Sequence, residues 1–551
     1  KRKRHMAVNP SASPAVVVRE VDLTSVVPGI TTPAAGYVGN FSWGPAEELT
    51  LVSDETGLVS TFGAPSATNT IDFHSAAYYL KYSNDLYVVR QLGTSAANAY
   101  DSASGSSAPV IKNETDFENQ QSALDSDGHT WVGKYAGALG NSIKVSVVAQ
   151  SANDADFTAW TYASDFDAAP DSDEIHVAVI DEDGDISGTA GTVLETFAFL
   201  STSTSAKNAD GSTNYANDVI NNNSAYVWAV GALTSPTTGD TSLSSGANGA
   251  ALTGGQIATG WDKFEDVNTV TVDFLIAPGM SSAVDQTTVV NDLTRIAQST
   301  RKDCICVTSP NRAAVVSNAG SEVADIVSGV ANFTRSSYLV VDGNYLKVYD
   351  KYNDNYIHIP AASSTAGIMA ASHTNAAPWF SPAGTRRGQY LGITSLTYNA
   401  NKANRDTLYK AGVNPISNIP GQGILLYGDK THLARPSAFD RINVRRLFLT
   451  IERAIAEAAK SVIFEFNDEF TRAEFTGIVE PFLREIQGAR GITDFRVVCD
   501  ESNNTAAVID RNEFVASIFI KPARSINYVT LNFVAVRTGV EFEEVVGAAT
   551  V

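Results

Sequence analysis

Cysteine is scarce in this chain of 551 residues, where Cys304, Cys306 and Cys499 are the only three. Three thiols cannot build a disulfide framework; the expectation is small buried hydrophobes in a chain made in a reducing compartment. Positive charge is also in short supply. Lys and Arg total 39 against 60 Asp and Glu, for a formal net charge of -21, which argues against a protein that coats nucleic acid or adheres to an anionic membrane. No run of about 18 apolar residues occurs, so no bilayer-spanning helix and no membrane insertion are expected. The stretch from Ala7 to Pro14 lacks the apolar segment of a secretory signal, so none is expected. With 44% hydrophobic and 18% charged residues, the chain reads as globular, and its length suggests about three or four domains.

Catalytic signatures are missing as well. Gly93-Thr94-Ser95-Ala96-Ala97 lacks the last glycine of a nucleophile elbow. No dinucleotide fingerprint follows a strand. The nearest nucleotide pattern runs from Gly423 to Thr431, but Asp429 separates Gly428 from Lys430 and would put a carboxylate where phosphate should sit. Gly423 to Tyr427 reads better as a strand, with Gly428-Asp429 as its turn. The seven histidines form no H-x-x-x-H pair. Cys304-Ile305-Cys306 alternates across a strand, so the two thiols do not face one metal. The acidic run Asp181 to Asp185 has Thr192 where a calcium loop needs Glu, and reads as a hairpin turn. No catalytic, cofactor or metal residue is assigned.

What is present is a sequence of short strands and helices. Lys1 to Met6 reads as an expression scar, and residues 7–29 as an N-terminal arm with a β-rich run at 15–24. Residues 30–94 begin an α/β core: strands at 36–39, 49–52 and 86–90, and helices at 54–62 and 73–82. From 95 to 260 the chain turns rich in Ser, Thr, Ala, Asn, Asp and Gly, with strands at 143–148, 174–180 and 193–200. This region reads as an inserted, outward-facing β-rich domain. Strand–helix–strand alternation resumes over 261–435: strands at 269–276, 304–307 and 338–341, helices at 282–299 and 315–333. In 436–551, Phe448, Ile451, Ile455, Ala458 and Val462 recur at spacings of 3 and 4, which predicts an amphipathic helix. A second helix is predicted over 468–487, kinked or broken at Pro481. Strands are predicted at 495–499, 514–521 and 528–537.

Several separated motifs resemble the contractile tail sheath proteins of T-even-type bacteriophages. They are Ser13 to Thr24, Gly36-Tyr37-Val38-Gly39, Trp43-Gly44-Pro45, Phe62-Gly63, Tyr87-Val88-Val89-Arg90 and Gly140-Asn141-Ser142-Ile143. The C-terminal block adds Asp440 to Arg446, Phe464 to Asp468, Cys499-Asp500 and Asn503-Asn504-Thr505. The resemblance covers about two thirds of the chain and is weakest over 95–260. It implies an α/β and α+β multidomain fold: an inner α+β domain built from both termini, a middle α/β domain subtilisin-like in topology without protease chemistry, and the inserted outer domain. It implies a non-enzymatic virion subunit, assembled in the host cytoplasm as a helical homo-oligomer around a tail tube protein. Baseplate and tail terminator proteins would be further partners, with no cofactor and no direct contact to nucleic acid. Contraction would drive the tube through the host envelope; with no nucleotide motif, it would release free energy held since assembly.

Both chain ends are strand-like, and an end strand must find an edge to pair with. Val16, Val17, Val18 and Val21 at one end, with Val529, Leu531, Phe533 and Ala535 at the other, are therefore candidates for strand exchange between subunits. Head-to-tail lending of a strand propagates as an open helix. Arg441, Arg445 and Arg446 have two open readings, an ion pair within the chain at a helix start or a contact to the tube or an adjacent subunit. In the second, reversing Arg445 to Glu blocks assembly and leaves the monomer folded. Arg472 and Arg484 have the same second reading, against that of a solvated helix face. Alternative functions are the sheath of a related contractile injection apparatus, a catalytically inactive subtilisin-like hydrolase and, against the missing signal segment, a surface adhesin.

Overall fold

Runs such as Phe-Leu-Ile, Ile-Cys-Val-Thr and Leu-Val-Val are apolar on both faces, which is what a parallel strand covered on both sides requires. In the computed structural model they lie in one six-stranded sheet, ordered Leu339–Val341, Ile305–Thr308, Phe274–Ile276, Ala35–Gly39, Leu86–Arg90, Thr50–Val52. All pairings are parallel except the last. The structure describes residues 33–101 and 108–527. By internal packing these form two units: residues 451–521, and residues 33–450 together with 522–527.

Alternation along the strands separates two cores. Val38, Leu275, Cys304, Cys306, Leu339 and Val341 face one side, where Trp261, Phe264, Val289, Leu293 and Ile326 come from the helices Gly254–Trp261, Ala283–Arg295 and Glu322–Val330 and the turn after the first. Tyr37, Phe274, Ile276, Ile305, Val307 and Val340 face the other, against the helices Glu55–Phe62, Thr70–Leu80 and Ala362–Asn375 and against Ile442 and Leu449. Cys304 and Cys306 are two residues apart and so line the same face, both thiols buried in the first core while Ile305 faces the second, which corrects the reading that alternation separates them. Cys499 is only partly buried.

Most predicted elements exist with shifted ends. Asp54 caps the first helix, its carboxylate accepting from Gly57 N at 2.7 Å. The strand predicted over 269–276 shortens to Phe274–Ile276, because Asp266 folds the preceding residues into a turn by accepting from Asn268 N and Thr269 Oγ1. The helix predicted over 315–333 shrinks to Glu322–Val330; Asn318 bonds back to Ala314 O and Gly320 has a φ of 90°. Of the kink or break predicted at Pro481, the break does not occur, and the helix runs unbroken from Glu469 to Gly488. Pro481 and Gly477, whose carbonyl loses its partner, both lie on the exposed face, where water can reach that carbonyl.

The region read as an insertion leaves and returns at one point. Ala97 pairs with Ala247, and Ala250 N donates to Thr94 O at 2.9 Å. Gly93 lies so close that a Cβ there would stand 1.9 Å from Ala250 O. Between these ends is an antiparallel sheet ordered Gly239–Ser242, Ile143–Ala149, Glu174–Asp181, Thr192–Ser201, and a second of Asn98–Tyr100, Trp131–Ala136 and Val227–Ala229. The acidic run is the hairpin turn: the Asp181 carboxylate accepts from the backbone of Gly184, Ile186 and Ser187.

Candidate functional site

Arg441, Arg445 and Arg446 stand at the start of the helix Ile442–Ala459, and consecutive helical residues point about 100° apart. Arg445 is 5% exposed and lies 4.1 Å over the Tyr338 ring and 4.8 Å over that of Phe439. Arg446 is 4% exposed and lies 5.2 Å over Phe274. Burial lowers its pKa to about 10, against the opposing charge of Asp273. Both guanidiniums are therefore interior groups of their unit, which is in keeping with the intramolecular one of the two readings. A cation that stacks on rings of a neighbouring strand and a cation on the surface look alike in sequence.

Arg441 is partly exposed and makes the intramolecular pair left open in the sequence. It lies 3.2 Å from Asp429 and 3.7 Å from Asp440. Burial works against its charge, and Tyr409, Asp429 and Asp440 outweigh that and raise its pKa. Asp429, read in the sequence only as a turn residue, is the centre of this cluster. It is buried, and its carboxylate accepts from Arg441, from Tyr409 Oη at 3.1 Å, from Ser525 Oγ at 2.7 Å and from Asn527 Nδ2 at 3.0 Å. The signal that could have found it is the Gly-Asp turn itself, since a buried carboxylate needs a cation and Arg441 is twelve residues on.

Within residues 451–521, Arg472 is buried, not on a solvated helix face, and donates to Asn467 Oδ1 at 2.9 Å. Asn467 in turn donates to Asn504 Oδ1 and Glu513 O, and Asn504 exchanges hydrogen bonds with the backbone of Val515. The family-like Asn residues thus fasten one loop to another. Arg484 remains on the surface, 70% exposed, paired with Glu480 at 3.1 Å, a contact of little energetic weight. Among the described residues, the strands Ile492–Val498 and Ser517–Pro522 form a sheet of two. Phe464, Phe466, Phe470 and Phe519 of this unit are exposed. The strand-exchange candidates Val16, Val17, Val18, Val21, Val529, Leu531, Phe533 and Ala535 lie outside the described residues.

The place where a doubly wound sheet usually takes a ligand is the crevice beyond the carboxyl ends of its strands, at the point where strand order reverses. Here that point lies between Ala35–Gly39 and Phe274–Ile276, and on the other side of Ala35–Gly39 the strand Leu86–Arg90 ends in the buried Arg90. Its guanidinium donates to Phe41 O, Gly44 O and Ala136 O, tying the sheet to the inserted region, and burial lowers its pKa to about 9. A serine and an aspartate do meet further along: Ser309 Oγ donates to Asp342 Oδ1 at 2.8 Å. That hydroxyl also accepts from Ala362 N at 2.9 Å, and Thr365 donates to the other carboxylate oxygen. The pair is buried and fastens the start of the helix Ala362–Asn375 to the sheet. Among the described residues no histidine bonds to it, as a hydrolase triad would need.

The class of this layered α/β protein is shown by comparisons with known proteins: it is a tail sheath protein. The model of the phage tail sheath protein central domain matches residues 250–432, and that of the phage tail sheath C-terminal domain residues 434–535. The tail sheath protein of Salmonella phage ViI is 35% identical over 97% of this chain and 98% of its own. That of Vibrio phage KVP40 is 31% identical over 97% and 99%, and that of Enterobacteria phage T4 30% identical over 98% and 99%. In fold, the chain is similar to the sheath tail protein of Listeria innocua, with a TM-score of 0.56 at 15% identity over 90% of this chain and 93% of that one. It is also similar to the helical sheath of the anti-feeding prophage in its contracted state, with a TM-score of 0.52 at 12% identity over 95% and 99%. The chain belongs to the phage tail sheath protein family and is a structural subunit of a contractile tail sheath.

Proposed function

We propose that copies of this chain polymerise as a helical tube around a phage tail tube, joined by strands that the two chain ends lend to neighbours. The observation that carries this reading is the sheet that, among the described residues, holds two strands, Ile492–Val498 and Ser517–Pro522, in a unit with exposed phenylalanines. A pair of strands is marginal by itself and gains from each strand added to an edge. The alternating apolar residues of 15–24 and 528–537 suit that addition, since main-chain bonds give affinity and alternate side chains give register.

In this reading 436–551 with the arm 7–29 forms the inner α+β domain. Residues 30–94 and 261–435 form a middle α/β domain of subtilisin-like topology, and 95–260 the outer domain. The tail tube, baseplate and terminator proteins are its partners, and assembly takes place in the host cytoplasm. The protein is no enzyme: contraction runs downhill from a metastable extended lattice and pushes the tube through the host envelope. Electron microscopy tests this. The purified full chain should form hollow tubes or rings, and a chain lacking residues 7–29 should stay monomeric. Extended sheaths that contracted only on adding ATP would contradict the energetic part.

A further inference from the structure

Residues 523–527 have no helix or strand of their own, yet they are fastened. Asn443 Nδ2 reaches Ala523 O at 3.4 Å. Ser525 Oγ donates to Asp429 Oδ2 at 2.7 Å, and Asn527 Nδ2 donates to Asp429 Oδ1 at 3.0 Å and to Tyr409 Oη at 3.2 Å. Between them, Arg524 and Ile526 are exposed. The side chains of Ser525 and Asn527 are therefore turned toward the buried carboxylate, with exposed residues between and beside them.

We propose that Asp429 is a latch that holds the root of the C-terminal segment and sets which face of that segment is turned inward. In sequence, the same odd-numbered parity continues through Val529, Leu531, Phe533 and Ala535. A slip of one residue exchanges the two faces of a strand, so the root fixes the face that a lent strand presents. That consequence rests on the strand-lending reading; the latch itself does not.

The chemistry of the latch makes it releasable. Asp429 also accepts from Arg441, from Tyr409 and from Ser381 Oγ at 3.3 Å, and Lys430 Nζ is held nearby by Tyr409 O at 3.0 Å. When Ser525 and Asn527 let go, the carboxylate keeps its cation and two hydroxyls, and no buried charge is orphaned. Ser525 and Asn527 are neutral and near the surface, so water takes their place. A lysine or arginine at either position would bind harder and release at a greater cost.

Trypsin reads the latch directly, because Arg524 lies inside it and the following residue is Ser525. The full-length double variant Ser525→Ala, Asn527→Ala should be cut after Arg524 at least about tenfold faster than the wild type, since cleavage follows the population of the opened segment. Ser525→Thr keeps the hydroxyl and should stay within about twofold of the wild-type rate. Acceleration confined to Arg524 supports the latch. A wild-type rate in the double variant, or acceleration at lysines and arginines throughout the chain, overturns it. The same samples in the electron microscope separate the two readings: fast clipping with impaired polymers supports both, whereas fast clipping with normal polymers keeps the latch and removes strand lending.

Discussion

Arg445 donates a 2.8 Å hydrogen bond from its guanidinium to the hydroxyl of Tyr338 and lies over the same ring. The contact joins the start of the helix Ile442–Ala459 to the residue just before the strand Leu339–Val341. It makes Arg445 a folding residue. Arg445→Ala should cost about 1–3 kcal/mol, and Arg445→Glu more, because it buries a carboxylate against a phenol. Denaturant unfolding of the monomer measures this. A monomer of unchanged stability that fails to assemble would restore the interface reading.

Asp342 gives the fold a pH dependence with a defined sign. Burial raises its pKa from 3.8 to about 7, opposed by hydrogen bonds from Ser309 and Thr365. Between those values the folded chain holds a proton that the unfolded chain has lost, so stability falls as pH rises. The contribution is complete below the unfolded value and gone above the folded one. Asp342→Asn lacks this titration. The stability of the wild type relative to the variant should therefore drop by up to about 4 kcal/mol between pH 4 and pH 8. Parallel profiles from thermal unfolding would show that Asp342 does not titrate in this way.

Gly93 closes the root of the inserted region. A methyl group there meets the Ala250 carbonyl oxygen at 1.9 Å, and that oxygen belongs to the backbone. Gly93→Ala should cost roughly 2 kcal/mol or more, since neither strand of the root can swing aside as a side chain can. Hydrogen exchange should speed up first at Ala247 and Ala250, whose amides bond across the root. Uniform exchange rates would place the strain elsewhere.

Arg90 holds the same junction by charge-assisted donation to carbonyls of two regions. Arg90→Lys keeps a cation and loses the planar fork, so it should destabilise the chain by about 2–3 kcal/mol. Calorimetry checks the size. A lysine variant as stable as the wild type would mean that the fork geometry carries nothing.

The six-stranded sheet was legible because its strands are short β-branched runs separated by helical periodicity; the Cys304-Ile305-Cys306 pattern was misread, since residues two apart share a face and both thiols lie in one core. The helix Ala362–Asn375 was not. It is made of small residues and buried on nearly all sides, so it carries no apolar stripe to read. The hairpin Tyr345–Asp350 with Asn355–Pro360 escaped as well; its apolar residues form no long run. At the candidate site, the cations were visible and their partners were not. Arg445 meets Tyr338 107 residues away, and Asp429 meets Ser525 96 residues away, distances over which no local pattern reports.

The central claim is that the two chain ends pair across subunits. A helical reconstruction of the assembled sheath, resolved well enough to trace residues 15–24 and 528–537, tests it most directly. Strand lending predicts that these segments lie in sheets completed by the strands Ile492–Val498 and Ser517–Pro522 of neighbouring copies. Ends that fold back onto their own chain's sheets, in a lattice held by side-chain contacts alone, would contradict it.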